Sequence, residues 1–187
     1  MEPPNVLSAQ TVDDLRDWYE QNYQSATQMW LVNPNKASGR PGVSYNDAVE
    51  VALCYGWIDS TRRKHDAEST VQRYSPRRRG SGYSQPNIER LRRLRDDGRL
   101  QPEIAEAVAP VLAQEFVFAD DIIAAVRANA AAWANYRNFS AAYQRIRVAY
   151  IEAARNRPEE FAKRLANFVD KCAQNKQIGY GGIDAYY

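Results

Sequence analysis

From Thr11 the chain reads TVDDLRDWYEQNY, with Leu15, Trp18 and Tyr19 on one face, Thr11 at the N-cap and Asp14 three residues on, as in a capping box. A helix is expected there. TQMWLVNP follows, alternating Thr27, Met29 and Leu31 with Gln28, Trp30 and Val32 until Pro34, the pattern of a strand. After the loop NKASGRPG, Ser44 caps a second helix, SYNDAVEVALCY, whose stripe of Ala48, Val51, Ala52 and Tyr55 stops at Gly56. Trp57 to Arg63 and Ser69 to Arg77 both read as extended around the polar stretch KHDAES, which predicts a β-hairpin whose second strand closes at Pro76. Ser84 is placed to cap a third helix, with Pro86 in its first turn, Ile88, Leu91 and Leu94 as its apolar stripe, and Gly98 as its stop.

From Pro102 onward the periodicity is helical throughout, with segments near 102–112, 119–136, 140–156 and 158–175, Ser140 capping one and Pro158 opening another. The expected fold is α+β: a small antiparallel sheet of one strand plus a β-hairpin, with helices, in the N-terminal half, then an all-helical C-terminal lobe. Residues 1–100 are expected to form the α+β domain and 101–187 the helical region packed on it. The glycine- and tyrosine-rich tail IGYGGIDAYY is expected as an extended strap or a frayed end.

Composition narrows the classes. At 187 residues, 44% hydrophobic and 26% charged, the chain can fill one core, or one core with a helical lobe appended. The N-terminal MEPPNVLSAQTVDD carries no basic segment leading into an apolar run, and no window approaches the roughly 18 apolar residues of a membrane span. A cytoplasmic protein without membrane insertion is expected. Cys54 and Cys172 stand far apart in apolar helical surroundings, which suits buried thiols in a reducing compartment. With His65 as the single histidine, in the hairpin turn, a zinc or haem site has almost no ligands, so no metal and no cofactor are expected. Net charge is only +2, yet Thr61 to Leu100 holds twelve of the 25 Lys and Arg and five of the 23 Asp and Glu. The positive field is therefore local, as an anionic partner or a solvated helix face would have it.

The stretches CYGWIDS at 54–60, VQRYSPRRRGSGYSQPN at 71–87 and RLRRLRDDGRLQPE at 90–103 resemble the YdeI/OmpD-associated, or bacteriocin-protection, family. The C-terminal AYIEAARNRPEEFAKRLANFV and GYGGI are similar to that family too, so the resemblance covers most of the chain. Two departures are Tyr83, where the family usually carries tryptophan, and Leu100, where methionine is common. The resemblance implies a stress or antimicrobial-tolerance factor, and it implies no reaction, cofactor or catalytic residue.

Chemistry concentrates in YSPRRRGSGYSQPN, where a strand ends, a glycine-bearing loop turns, and a helix starts with its free amides and positive dipole end. Arg73 shares a strand face with Ser75 and Arg77. Arg77 and Ser81 could reach a small or peptide-borne anion held against those amides, with Tyr83 stacking on it, Ser84 at the cap and Asn87 in the first turn. Trp57 and Asp59 of GWID complete this candidate ligand set. A structural account uses the same residues: Ser84 as a plain cap, Asn87 bonding back to it, and Arg77 paired with Asp59 across the hairpin. Two further classes stay open. An enzyme of unspecified reaction would use Asp59 as acid or base, with Tyr83 as proton donor. A weak nucleic-acid binder would use a basic stripe across 62–99, including Arg62, Arg63, Lys64, Arg77, Arg78 and Arg79, with Tyr74 and Tyr83 as stacking rings. Absence of a reading motif and a pI near 8.5 disfavour nucleic acid.

Overall fold

The capping box at Thr11 forms in full. Its hydroxyl accepts from the Asp14 amide at 3.1 Å, and the Asp14 carboxylate accepts from the Thr11 and Gln10 amides at 2.9 Å, opening α1 (Val12–Asn22). The computed structural model describes residues 5–78, 80–179 and 186–187; Arg79 of the basic stripe and most of the glycine-rich tail lie outside the described residues. Strand β2 (Met29–Pro34) follows, then α2 (Tyr45–Cys54), capped by the Ser44 hydroxyl accepting from the Asp47 amide. The expected hairpin is β3 (Trp57–Lys64) and β4 (Ser69–Pro76). The chain is α+β, with its sheet in the N-terminal half and helices after it.

The sheet runs β1-β2-β4-β3. Its first member, β1 (Val6–Leu7), pairs parallel with β2, whereas β2, β4 and β3 are antiparallel. Two residues leave too little alternation to be read from sequence. Strand β2 is buried on both faces: Met29 and Leu31 lie on one side, and Trp30 and Val32 join Val71 on the other. On the first face Trp57 packs edge-on against Trp18 and Tyr19 of α1, with ring centroids 5.7 and 5.3 Å away. On the second, the Arg63 guanidinium lies 5.1 Å from the Trp30 ring centroid. Gly56 turns α2 into β3 at φ +71°, where a Cβ would stand 2.6 Å from Ile104 Cδ1. Ile104 belongs to α4 (Pro102–Leu112), and the Gln101 amide donates to the Cys54 carbonyl. Helix α4 is therefore held at the turn from α2 into β3.

Two compact units result: Met1–Gly82 with Leu91–Leu112, and Tyr83–Arg90 with Ala113–Tyr187. Helix α3 (Gln85–Asp96) supplies residues to both. In the second unit are α5 (Asp120–Arg127), α6 (Ala130–Tyr136), α7 (Ala141–Glu152) and α8 (Pro158–Ala173). The segment 119–136, expected as one helix, is two, because the Asn129 side chain accepts from the Ala132 amide and restarts the chain as an N-cap. Ile122, Val126, Tyr136, Tyr143, Ile151 and Phe168 fill this unit's core around Cys172. Glu89, itself buried, takes a two-pronged bond from Arg145 at 2.7 Å on both oxygens.

Both cysteines are free and buried. Burial pushes each thiol up to about 11, the effect at Cys54 being opposed by the nearby Arg99 cation. A folded-state pKa above the unfolded value of about 8.5 stabilises fully below that lower value and is lost as pH rises through the upper one. Stability is thus expected to decline above about pH 9. At about pH 8 an aromatic disulfide reagent should label neither thiol until denaturant is added, and rapid labelling of the folded chain would contradict their burial.

Candidate functional site

The first unit contains a cavity of about 510 Å3 where the end of β2, the loop after it, the start of α2 and the hairpin meet. Local chemistry shapes the loop. Asn35 donates its amide to the Glu68 carbonyl at 2.7 Å, a 3-10 turn follows at Lys36–Ser38, and Gly39 closes it at φ +65°. Gly42 then passes so close to Pro34 that a Cβ would sit 2.7 Å from its Cδ, so only glycine lets the loop fold back on the strand end. Buried Val43 anchors the return, and Ser44 starts α2.

The opposite wall comes from a β-bulge. Asp59 pairs with Tyr74 but Arg62 pairs with Gln72, so β3 carries one residue more than β4 between them. Residues three apart on a regular strand face opposite ways; the extra residue puts Asp59 and Arg62 on the same face. Gln72 stands between them, donating its Nε2 to the Ser60 carbonyl at 2.9 Å and to Asp59 Oδ2 at 3.5 Å. The Tyr45 hydroxyl donates to the same Asp59 oxygen at 3.0 Å. Arg62 donates Nε to Thr70 Oγ1.

Amides (Asn33, Asn35, Gln72), hydroxyls (Ser44, Tyr45) and three cations (Lys36, Arg40, Arg62) therefore line one concavity. Asp66 at 3.6 Å and Glu68 at 4.0 Å offset Arg40 at its outer side. Among the described residues no carboxylate lines the cavity itself, and Asp59 is linked to it through Tyr45 and Gln72. Such a wall favours a polar ligand with negative charge. Burial, and then the Asp59 anion, push the phenol of Tyr74 well above its ordinary range, which keeps it protonated.

The residues expected to bind an anion divide between the two units and, within the first, between the two faces of the sheet. Trp57 is 1% exposed in the aromatic core, its Nε1 donating to the Tyr23 carbonyl. Asp59 follows on the same sheet face, paired with Tyr74, whereas Arg73, one residue before Tyr74, points to the other face and donates to Gln28 Oε1 at 2.8 Å. Arg77 donates to the Gly82 carbonyl and Ser81 donates its hydroxyl to the Arg78 carbonyl, so these two tie the arginine loop to itself. Tyr83, Ser84 and Asn87 belong to the second unit; the Ser84 carbonyl accepts from the Ile88 amide and Asn87 accepts from Arg90 Nη1. Within the stripe expected for nucleic acid, Arg93 and Arg99 both close on Glu50, and Arg95 on Asp96. Lys36, Arg40, Tyr45 and Gln72 escaped the sequence reading, although two cations in NKASGRPG between a strand stop and a helix cap were a usable signal.

Residues 7–107 match the family model described as a domain of unknown function (DUF8412), and residues 115–175 match the one described as bacteriocin-protection, YdeI or OmpD-associated. CYGWIDS and the arginine-rich loop fall within the first match, and AYIEAARNRPEEFAKRLANFV within the second. Neither the curated proteins nor the solved structures contain a match to the chain.

Proposed function

The chain belongs to the domain-of-unknown-function family over its N-terminal part and carries a bacteriocin-protection, YdeI or OmpD-associated domain in its C-terminal helices, and from that premise we propose that its first unit is a binding module for a small polar anion. One observation carries the reading: a cavity of about 510 Å3 lined by Lys36, Arg40 and Arg62 together with amide and hydroxyl groups, with no carboxylate in the lining among the described residues. The ligand is a phosphate or carboxylate on a polar small molecule, or the same group borne on a peptide. We attach to this binding the role that the family description prints, protection against bacteriocins.

Titration calorimetry with citrate and with inorganic phosphate tests it. Arg62→Gln is expected to weaken the tighter of the two by about tenfold, the worth of one charge-assisted hydrogen bond, while leaving the melting temperature within a degree or so. An unchanged affinity, or heat from neither probe, rejects the cavity as an anion site. A second reading, acid–base chemistry, draws on the Tyr45 hydroxyl bonded to Asp59 at the cavity edge. There Asp59→Asn removes turnover and spares binding, whereas in a pure binding module it changes neither.

A further inference from the structure

Between α7 and α8 the second unit holds a separate cavity of about 300 Å3. Ile151, Phe168 and Ile178 line it with carbon, and Arg147, Lys163 and Arg164 surround it with positive charge. Glu160, its single lining carboxylate among the described residues, is engaged: Arg164 Nε holds it at 2.8 Å, and the same guanidinium donates to the Tyr150 carbonyl and lies 3.9 Å from the Tyr150 ring centroid. Arg147 differs. Its guanidinium is held over the rings of Tyr143 and Tyr150, at 5.7 and 5.5 Å, and no carboxylate among the described residues stands within ion-pair distance of it. Its Nε is buried and finds no acceptor among the described residues.

A guanidinium positioned by ring faces keeps its in-plane N–H donors for an acceptor, and a desolvated donor without one is costly. Two oxygens of a carboxylate match that fork, and the apolar lining calls for carbon behind them. The volume suits one aromatic ring or a short alkyl chain. We infer that this cavity binds a small organic carboxylate with a compact apolar body, its carboxylate on Arg147 and Lys163 and its carbon on Ile151, Phe168 and Ile178.

Titration of the isotope-labelled full chain with benzoate and hexanoate, followed by amide resonances, tests this. Shifts at Tyr150, Lys163 and Asn167 are expected with Kd on the order of 1 mM, and roughly tenfold weaker response to benzamide, which lacks the charge, and to inorganic phosphate, which lacks the carbon. Arg147→Gln should weaken benzoate by roughly tenfold and the exposed Lys163→Gln by about threefold. If Arg147→Gln does not fold, the wild-type shifts and Lys163→Gln decide. Silence at these residues, a benzamide response equal to benzoate, or a phosphate response equal to both overturns the inference. Failure here leaves the first unit's cavity untouched, since the reporting residues all lie in the second.

Discussion

Trp57→Ala is expected to lower the free energy of unfolding by about 4 kcal/mol, measured by urea titration, because the change empties a large volume at the centre of the first unit. The ring is 1% exposed and stands edge-on to both Trp18 and Tyr19. Aromatic edge-to-face pairs add to the burial itself, and deletion also leaves the Tyr23 carbonyl, which accepts from Trp57 Nε1 at 3.2 Å, without its donor. Trp57→Phe separates the two contributions: it keeps a ring in the cavity and loses the hydrogen bond, for an expected cost of about 1–2 kcal/mol. Citrate affinity of the folded fraction should not move in either variant. If Trp57→Ala leaves stability within about 1 kcal/mol and weakens ligand instead, the ring faces a site and its place in the core is wrong.

Three helix caps and the hairpin were announced locally, and they form. Thr11, Ser44 and Ser140 cap helices because a hydroxyl satisfying an orphan amide is a matter of three residues, and the β3–β4 hairpin needs only a short polar turn. The candidate site was less legible because its geometry depends on long-range register. One extra residue between Asp59 and Arg62 decides which face Arg62 takes, and nothing in the polar run IDSTRRK marks where a bulge will sit. Arg73 shows the converse. Alternation placed it with Arg77 on one face, but the partner it meets, Gln28, lies 45 residues away on the approach to β2. The break at Asn129 was readable in principle, since an asparagine can cap, but an alanine-rich run on either side favours one continuous helix.

Glu50→Ala is expected to cost about 3 kcal/mol, by the same urea titration, for a reason that bears on the basic stretch as a whole. Glu50 lies within seven consecutive buried residues of α2, from Ala48 to Cys54, and is 4% exposed. Arg93 bonds one of its oxygens and Arg99 Nη1 approaches the other at 3.4 Å. Gly98, at φ +66°, ends α3 with the Arg99 amide returning to the Leu94 carbonyl, and that reversal turns Arg99 back to the carboxylate. Glu50 therefore engages two cations that lie within the stripe considered for nucleic acid. Its removal leaves two largely covered guanidinium groups, Arg99 without the Glu50 anion and Arg93 with only Asp97 at 3.8 Å, whereas Glu50→Gln keeps the shape and loses only the charge, for an intermediate cost. Glu50→Leu combined with Arg93→Met should recover most of the loss, since apolar packing of similar volume replaces a buried ion pair at little net cost. A cost below about 1 kcal/mol for Glu50→Ala would mean that solvent screens the triad. Arg93 and Arg99 would then be available to an anionic partner, and the salt dependence of nucleic-acid binding would become the measurement to make.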